Sequence, residues 1–109
     1  MAYRIRVFPA AEQDADAIYC YLAKRSPAGA ARWWQALQSA LVEAAAAPEQ
    51  CSRLADFDSS GCDVRQFLFK TPRGRYYRGV FVIVEQELRL LRVRGPGQPP
   101  LAPHETIGQ

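Results

Sequence analysis

The hydrophobic period changes once along this chain, and that single change restricts the fold more than any other feature. From residue 9 to residue 47 apolar side chains recur at helical spacing, and from 64 to 94 they alternate as in strands. A further alternating stretch, Tyr3-Arg4-Ile5-Arg6-Val7-Phe8, precedes the helical part and reads as a half-buried strand. With 109 residues, the chain has room for one hydrophobic core and one domain.

Pro9 suits the first position of a helix, where its missing N–H costs nothing. Ala11, Ala15, Ile18 and Leu22 then line one face, with Tyr19 beside them. Glu12, Asp14 and Asp16 sit in the early turns and Lys24 and Arg25 at the end, in keeping with the helix dipole. Ser26 is placed to cap a second helix and Pro27 to open it. That helix is expected from about Pro27 to Ala47, with Trp34, Leu37, Leu41 and Ala45 as its buried stripe. Trp33, about 100° round the helix from Trp34, either covers the helical hairpin or belongs to an exposed apolar patch for a partner. Pro48 stops the segment.

Residues 50–63 read as a turn-rich connector around Asp58, Ser59, Ser60 and Gly61. Three strands follow, at Val64–Phe69, Tyr76–Val84 and Leu88–Arg94. The middle one is apolar on both faces and therefore central. Thr71-Pro72-Arg73-Gly74 is a loop and Glu85-Gln86-Glu87 a tight hairpin. The expected architecture is α+β, in the order β-α-α-β-β-β. A small antiparallel sheet carries the N-terminal helical hairpin on one face, and the first strand joins beside one of the others. Residues 1–101 form the domain, and 102–109, which contain the single His104, read as a flexible tail.

Charge is unevenly spread. The net charge is +3, yet between Val64 and Arg94 the cations Arg65, Lys70, Arg73, Arg75, Arg78, Arg89, Arg92 and Arg94 meet only Glu85 and Glu87. Such a field attracts nucleic acid or an acidic protein segment. Charged strands guarding the sheet against aggregation are the other reading. Strict alternation puts Arg92 and Arg94 on one face of the last strand and Arg89 on the other. Arginine suits bidentate phosphate or carboxylate contact, and Tyr76 or Tyr77 among these cations could stack on a base, although alternation sends one of the two tyrosines into the core. Arg78, flanked by apolar strand residues, fits a structural ion pair better than a catalyst.

Some chemistries find no support. Cys20, Cys51 and Cys62 lack metal-ligand spacing and read as reduced thiols of a cytoplasmic protein. No cofactor motif is present, and Gly95-Pro96-Gly97 has no helix after it to cradle a phosphate. The alternating start lacks the apolar core of a signal peptide, and Val80–Val84 is far too short to span a membrane.

These motifs together resemble the RelE/ParE superfamily of toxins from bacterial type II toxin–antitoxin systems. The matching features begin with the basic alternating first strand, Ala11-x-x-Asp14-Ala15-x-x-Ile18-x-x-Tyr21-Leu22, Ser26-Pro27 and Ala31-Arg32 with Leu37, Leu41 and Pro48. Val64-Arg65, Tyr76-Tyr77-Arg78-Gly79-Val80-Phe81 and Leu90-Leu91-Arg92-Val93-Arg94 with Gln98-Pro99 complete them. The resemblance spans most of residues 3–101 and implies a RelE-like fold. It also implies a growth-inhibiting toxin held inactive by a cognate antitoxin with an acidic or amphipathic segment. RelE-like members cleave mRNA on the ribosome with basic residues plus a late His or Tyr, whereas ParE-like members inhibit DNA gyrase. Here Gly95-Pro96-Gly97 stands where the late His or Tyr is expected, which favours the ParE-like branch. Cleavage through the 2′-hydroxyl would need a base, an acid and charge stabilisation, with Arg65, Lys70, Arg78, Arg92 and Arg94 as the candidates. Target or antitoxin contact falls to Arg73, Arg75, Tyr76, Tyr77 and Trp33. An mRNA interferase and a non-toxic nucleic-acid-binding or interaction domain are the alternatives.

Overall fold

A computed structural model describes residues 2–54 and 63–96. The turn expected around Asp58–Gly61, Cys62, Gln98-Pro99, His104 and the tail lie outside the described residues.

The chain forms strand β1 (Arg4–Val7), helices α1 (Pro9–Arg25) and α2 (Pro27–Ala46), and a 3-10 turn at Pro48–Gln50. Strands β2 (Ser52–Arg53), β3 (Val64–Phe69), β4 (Tyr77–Val84) and β5 (Glu87–Arg94) follow. Both helices begin on proline, and Ser26 Oγ accepts the Gly29 N–H at 3.0 Å, so the second helix is capped as its sequence predicts. Neither helix is long and apolar enough to cross a membrane.

The sheet has five strands in the order β1-β5-β4-β3-β2, with β4 at its centre. β3, β4 and β5 form an antiparallel meander, but β1 runs parallel to β5, with Arg4 opposite Glu87 and Val7 opposite Leu90. The sheet is therefore mixed, not antiparallel throughout. β1 leads into the two helices, and the chain comes back to its side only through the last strand. The two-residue β2 pairs Ser52 with Gln66 and Arg53 with Arg65 in the segment read as connector. The β4–β5 turn is only Glu85-Gln86, since Glu87 already belongs to β5.

The helical hairpin covers one face of the sheet. Ala11 and Ala15 from α1, with Trp33, Leu37 and Leu41 from α2, close over Phe67, Phe69, Phe81, Leu88, Leu90 and Val93. The stripe on α2 differs from the expected one. Trp33 is 1% exposed and Trp34 40% exposed, so the core aromatic is Trp33. Ala30, Trp33, Leu37, Leu41 and Ala44 define the buried face, and Trp33 packs against Phe69 and Tyr77 with ring centroids 5.7 and 5.5 Å apart. The proposed partner patch at Trp33 is thus a packing site.

On the face away from the helices a smaller cluster forms around Val64, Val80 and Leu54. Val80 faces Arg92 while Phe81 faces Leu90, so Leu91 is an extra residue in β5, a β-bulge. The bulge resets the alternation. Arg89, Arg92 and Arg94 stand opposite Val82, Val80 and Arg78, which alternate onto one face of β4. Arg89 therefore shares a face with Arg92 and Arg94, contrary to strict period 2.

Candidate functional site

The cations divide along the long direction of the sheet. Toward the β4–β5 turn and the start of β3 they meet carboxylates. Glu87 Oε1 lies 2.8 Å from Arg89 Nε and 3.9 Å from Arg6 Nη1. Asp63 receives Arg53 Nε at 2.9 Å and Arg65 Nε at 3.1 Å. Arg65 also donates to the Cys51 carbonyl at 2.9 Å, stitching β3 to the segment after α2. Asp14 holds Arg92 through two hydrogen bonds of 2.7 and 3.1 Å. Two candidate phosphate-stabilising residues, Arg65 and Arg92, are thereby structural cations.

The opposite end is built differently. The α1–α2 junction, the loop from Lys70 to Tyr76 and the end of β5 meet there, as shared cavity walls demonstrate: Arg25, Ser26, Gly29, Thr71, Gly74, Arg75 and Pro96 line one cavity. Arg32, Lys70, Thr71 and Pro72 line another. Lys24, Arg25 and Arg32 come from the helices, Lys70, Arg73 and Arg75 from the loop, and Arg78 and Arg94 from facing positions on β4 and β5. Neither 17–42 nor 64–84, the segments supplying most of these cations, contains an Asp or Glu. Among the described residues this end is positive without an interleaved carboxylate, which raises the local potential for a negatively charged partner.

The two adjacent tyrosines part company here. Tyr76 is 58% exposed, and Lys70 Nζ lies 5.4 Å from its ring centroid. Tyr77 stacks on Phe69 at 5.7 Å and turns its ring toward Trp33, so it is the core member of the pair. Burial and the neighbouring Tyr21 push the Tyr77 phenol above its ordinary value, keeping it a neutral hydrogen-bonding group. The candidate residues thus separate. Lys70, Arg73, Arg75, Tyr76, Arg78 and Arg94 share this end, whereas Arg65 and Arg92 serve ion pairs elsewhere and Trp33 lies beneath the surface.

Cys51 is partly buried, and burial pushes its thiol up despite the opposing effect of Arg65, which makes it a poor nucleophile. The contribution of Arg25 and Arg32 was not singled out from the sequence. Their signal was the absence of any acidic residue between Ala17 and Val42. No protein-family model matches this chain, and no curated protein matches it.

Proposed function

We propose that this chain is a toxin of the RelE/ParE kind, neutralised by a cognate antitoxin, that inhibits growth by binding its target, with DNA gyrase the leading one. The observation carrying this reading is the cationic end assembled from the α1–α2 junction, the Lys70–Tyr76 loop and the end of β5, whose helical and loop cations Lys24, Arg25, Arg32, Lys70, Arg73 and Arg75 come from segments without an Asp or Glu. Its charge suits an acidic antitoxin segment or a nucleic-acid-bearing target. The small α+β fold, with two helices followed by strands of a mixed five-stranded sheet, is in keeping with the α+β domain the sequence resemblance implies. Binding is favoured over RNA cleavage because Arg65 and Arg92 are engaged by Asp63 and Asp14. Among the described residues there is no histidine to move protons.

Controlled expression without an antitoxin should arrest growth, and purified protein should block gyrase supercoiling. Unchanged supercoiling at saturating protein would remove gyrase as the target. The mRNA interferase reading retains one specific support, the Lys70–Tyr76 pair close to the strand positions of Arg78 and Arg94. A new toeprint at the ribosomal A site would favour that reading. Unimpaired growth at full expression would favour a non-toxic interaction domain.

A further inference from the structure

We infer that the cleft between the α1–α2 junction and the Lys70–Tyr76 loop is a binding site for a single nucleotide, held by its phosphate. The cleft belongs to the cationic end that also carries the toxin reading; what points to a ligand is the make-up of its walls on the helix side of the sheet, whichever target that end serves. Two adjoining cavities, of about 260 and 670 Å³, share Arg25, Arg75, Tyr77 and Pro96 as walls. Their combined size falls in the range of small-molecule sites.

Two features point to a phosphate. Arg25 and Arg75 line the same space, and among the described residues no carboxylate lines either cavity. Two guanidinium groups facing one cavity repel each other until an anion sits between them, and their planar donors match phosphate oxygens. Ser26 and Gly29 add the start of α2, a 20-residue helix whose N-terminal end is positive. Trp33, 1% exposed, forms part of the wall.

The larger cavity is walled mainly by apolar surface. Ile18, Tyr21, Tyr77 and Pro96 form its larger wall, with Arg25 stacked 4.8 Å from the Tyr21 ring centroid. Such a wall suits a planar base, which an aliphatic phosphate does not offer. The two phenols supply hydrogen bonds to base or ribose edges.

Titration of the whole chain with adenosine monophosphate, adenosine and inorganic phosphate, followed by tryptophan fluorescence and calorimetry, tests the inference. Saturable binding of the monophosphate is expected, at least about tenfold tighter than either adenosine or phosphate alone, since both halves of the site contribute. Arg25→Gln and Arg75→Gln should each weaken it by about tenfold or more while leaving the thermal midpoint near that of the parent. Arg4→Gln, a cation on β1 that lines neither cavity, should change affinity by less than about twofold. Three results would overturn the inference: no saturable binding at millimolar nucleotide, equal affinity for adenosine and its monophosphate, or an Arg4→Gln loss as large as that of Arg75→Gln. Equal affinity for phosphate and the monophosphate would equally overturn the nucleotide assignment.

Discussion

Asp14 on α1 grips Arg92 on β5 with Nε to Oδ2 at 2.7 Å and Nη2 to Oδ1 at 3.1 Å, and its Oδ2 also accepts the Val93 N–H at 3.0 Å. β1 stops opposite Leu90, so beyond that point the outer edge of β5 lacks a strand partner. Asp14 supplies the missing acceptor and fixes α1 to the sheet just past the bulge. Both side chains are 19% exposed, which makes the pair stronger than a surface bridge but still partly screened. Asp14→Ala should lower unfolding stability by about 2–3 kcal/mol, because it leaves a guanidinium and a backbone donor without their acceptor. Asp14→Asn, which retains one acceptor oxygen, should cost less. A double-mutant cycle with Arg92→Met in urea checks the pair. A coupling energy near zero would return Arg92 to the list of candidate functional cations.

Gly79 and Phe67 face each other across β3 and β4, and the ring of Phe67 lies over the glycine. A Cβ built on Gly79 would overlap Phe67 Cζ and Cε2 and stand 2.7 Å from Cε1. Both residues belong to the core face, where Phe67 has no room to move away from Phe69 and Phe81. Gly79→Ala should therefore destabilise the protein by about 3 kcal/mol, an overpacking cost. Adding Phe67→Leu should recover part of that loss despite its own cavity cost, so the double variant should be more stable than additivity allows. Strictly additive losses would show that the ring does not set the glycine requirement.

The neighbours Trp33 and Trp34 should behave oppositely. Trp33→Ala removes the ring joining Phe69 and Tyr77 to α2 and should cost about 4 kcal/mol, a large share of the stability of a small domain. Trp34→Ala removes a 40% exposed ring whose aromatic neighbour is Tyr19 at 6.1 Å, and should cost less than about 1.5 kcal/mol. Acrylamide quenching of each single-tryptophan variant provides a second reading, with Trp34 accessible and Trp33 protected.

The contrast between these tryptophans also marks how far the sequence could be read. The helix boundaries were legible because Pro9, Ser26-Pro27 and Pro48 punctuate them and apolar residues recur between at period 3.6. Either tryptophan is compatible with Leu37 and Leu41 on one helical face. What decides between them is the ring cluster of Phe69 and Tyr77, a contact made across the chain. Alternation located β3, β4 and β5 but carries no information on strand direction, so the parallel pairing of β1 was hidden. β2 has two residues, too few to show a period. The cations were legible one by one, but which of them meet Asp14, Asp63 and Glu87 and which gather at the α1–α2 junction was not. Leu91 shifts the parity of β5, and Asp14, distant in sequence, is the residue that engages Arg92.

Glu85 occupies the first position of the β4–β5 turn with φ 57°, in the left-handed region. That conformation costs a side-chain-bearing residue about 1–2 kcal/mol and costs glycine little. Two-residue hairpin turns also favour glycine where φ is positive. Glu85→Gly should raise the urea midpoint, corresponding to a gain of about 1 kcal/mol after allowing for the greater freedom of glycine in the unfolded chain. Glu85→Ala, which keeps the Cβ, should give no such gain, and equal midpoints for Gly and Ala variants would count against turn strain as the cause.

Glu87 gives the fold an acid-sensitive point. The hydrogen bond from Arg89 pulls its carboxyl below the ordinary glutamate range; burial opposes this, and the charges of Arg89, Arg6 and Arg4 reinforce it. A carboxyl with a lowered folded pKa binds its proton less readily in the native state than in the unfolded chain. Its contribution is therefore complete above the ordinary value of 4.5 and is lost as pH falls through the lowered folded value. Glu87→Gln should be less stable than the parent at neutral pH, and the gap should close as the solution is acidified past that window. Taking the difference between the two proteins cancels the titration of the other carboxylates. Urea unfolding of both across the acid range, with the Glu87 carboxyl followed by NMR, checks the sign. A gap that stays constant with pH would mean that Arg89 does not favour the ionised form, and the pairing of β1 with β5 would then draw no support from the Glu87 charge.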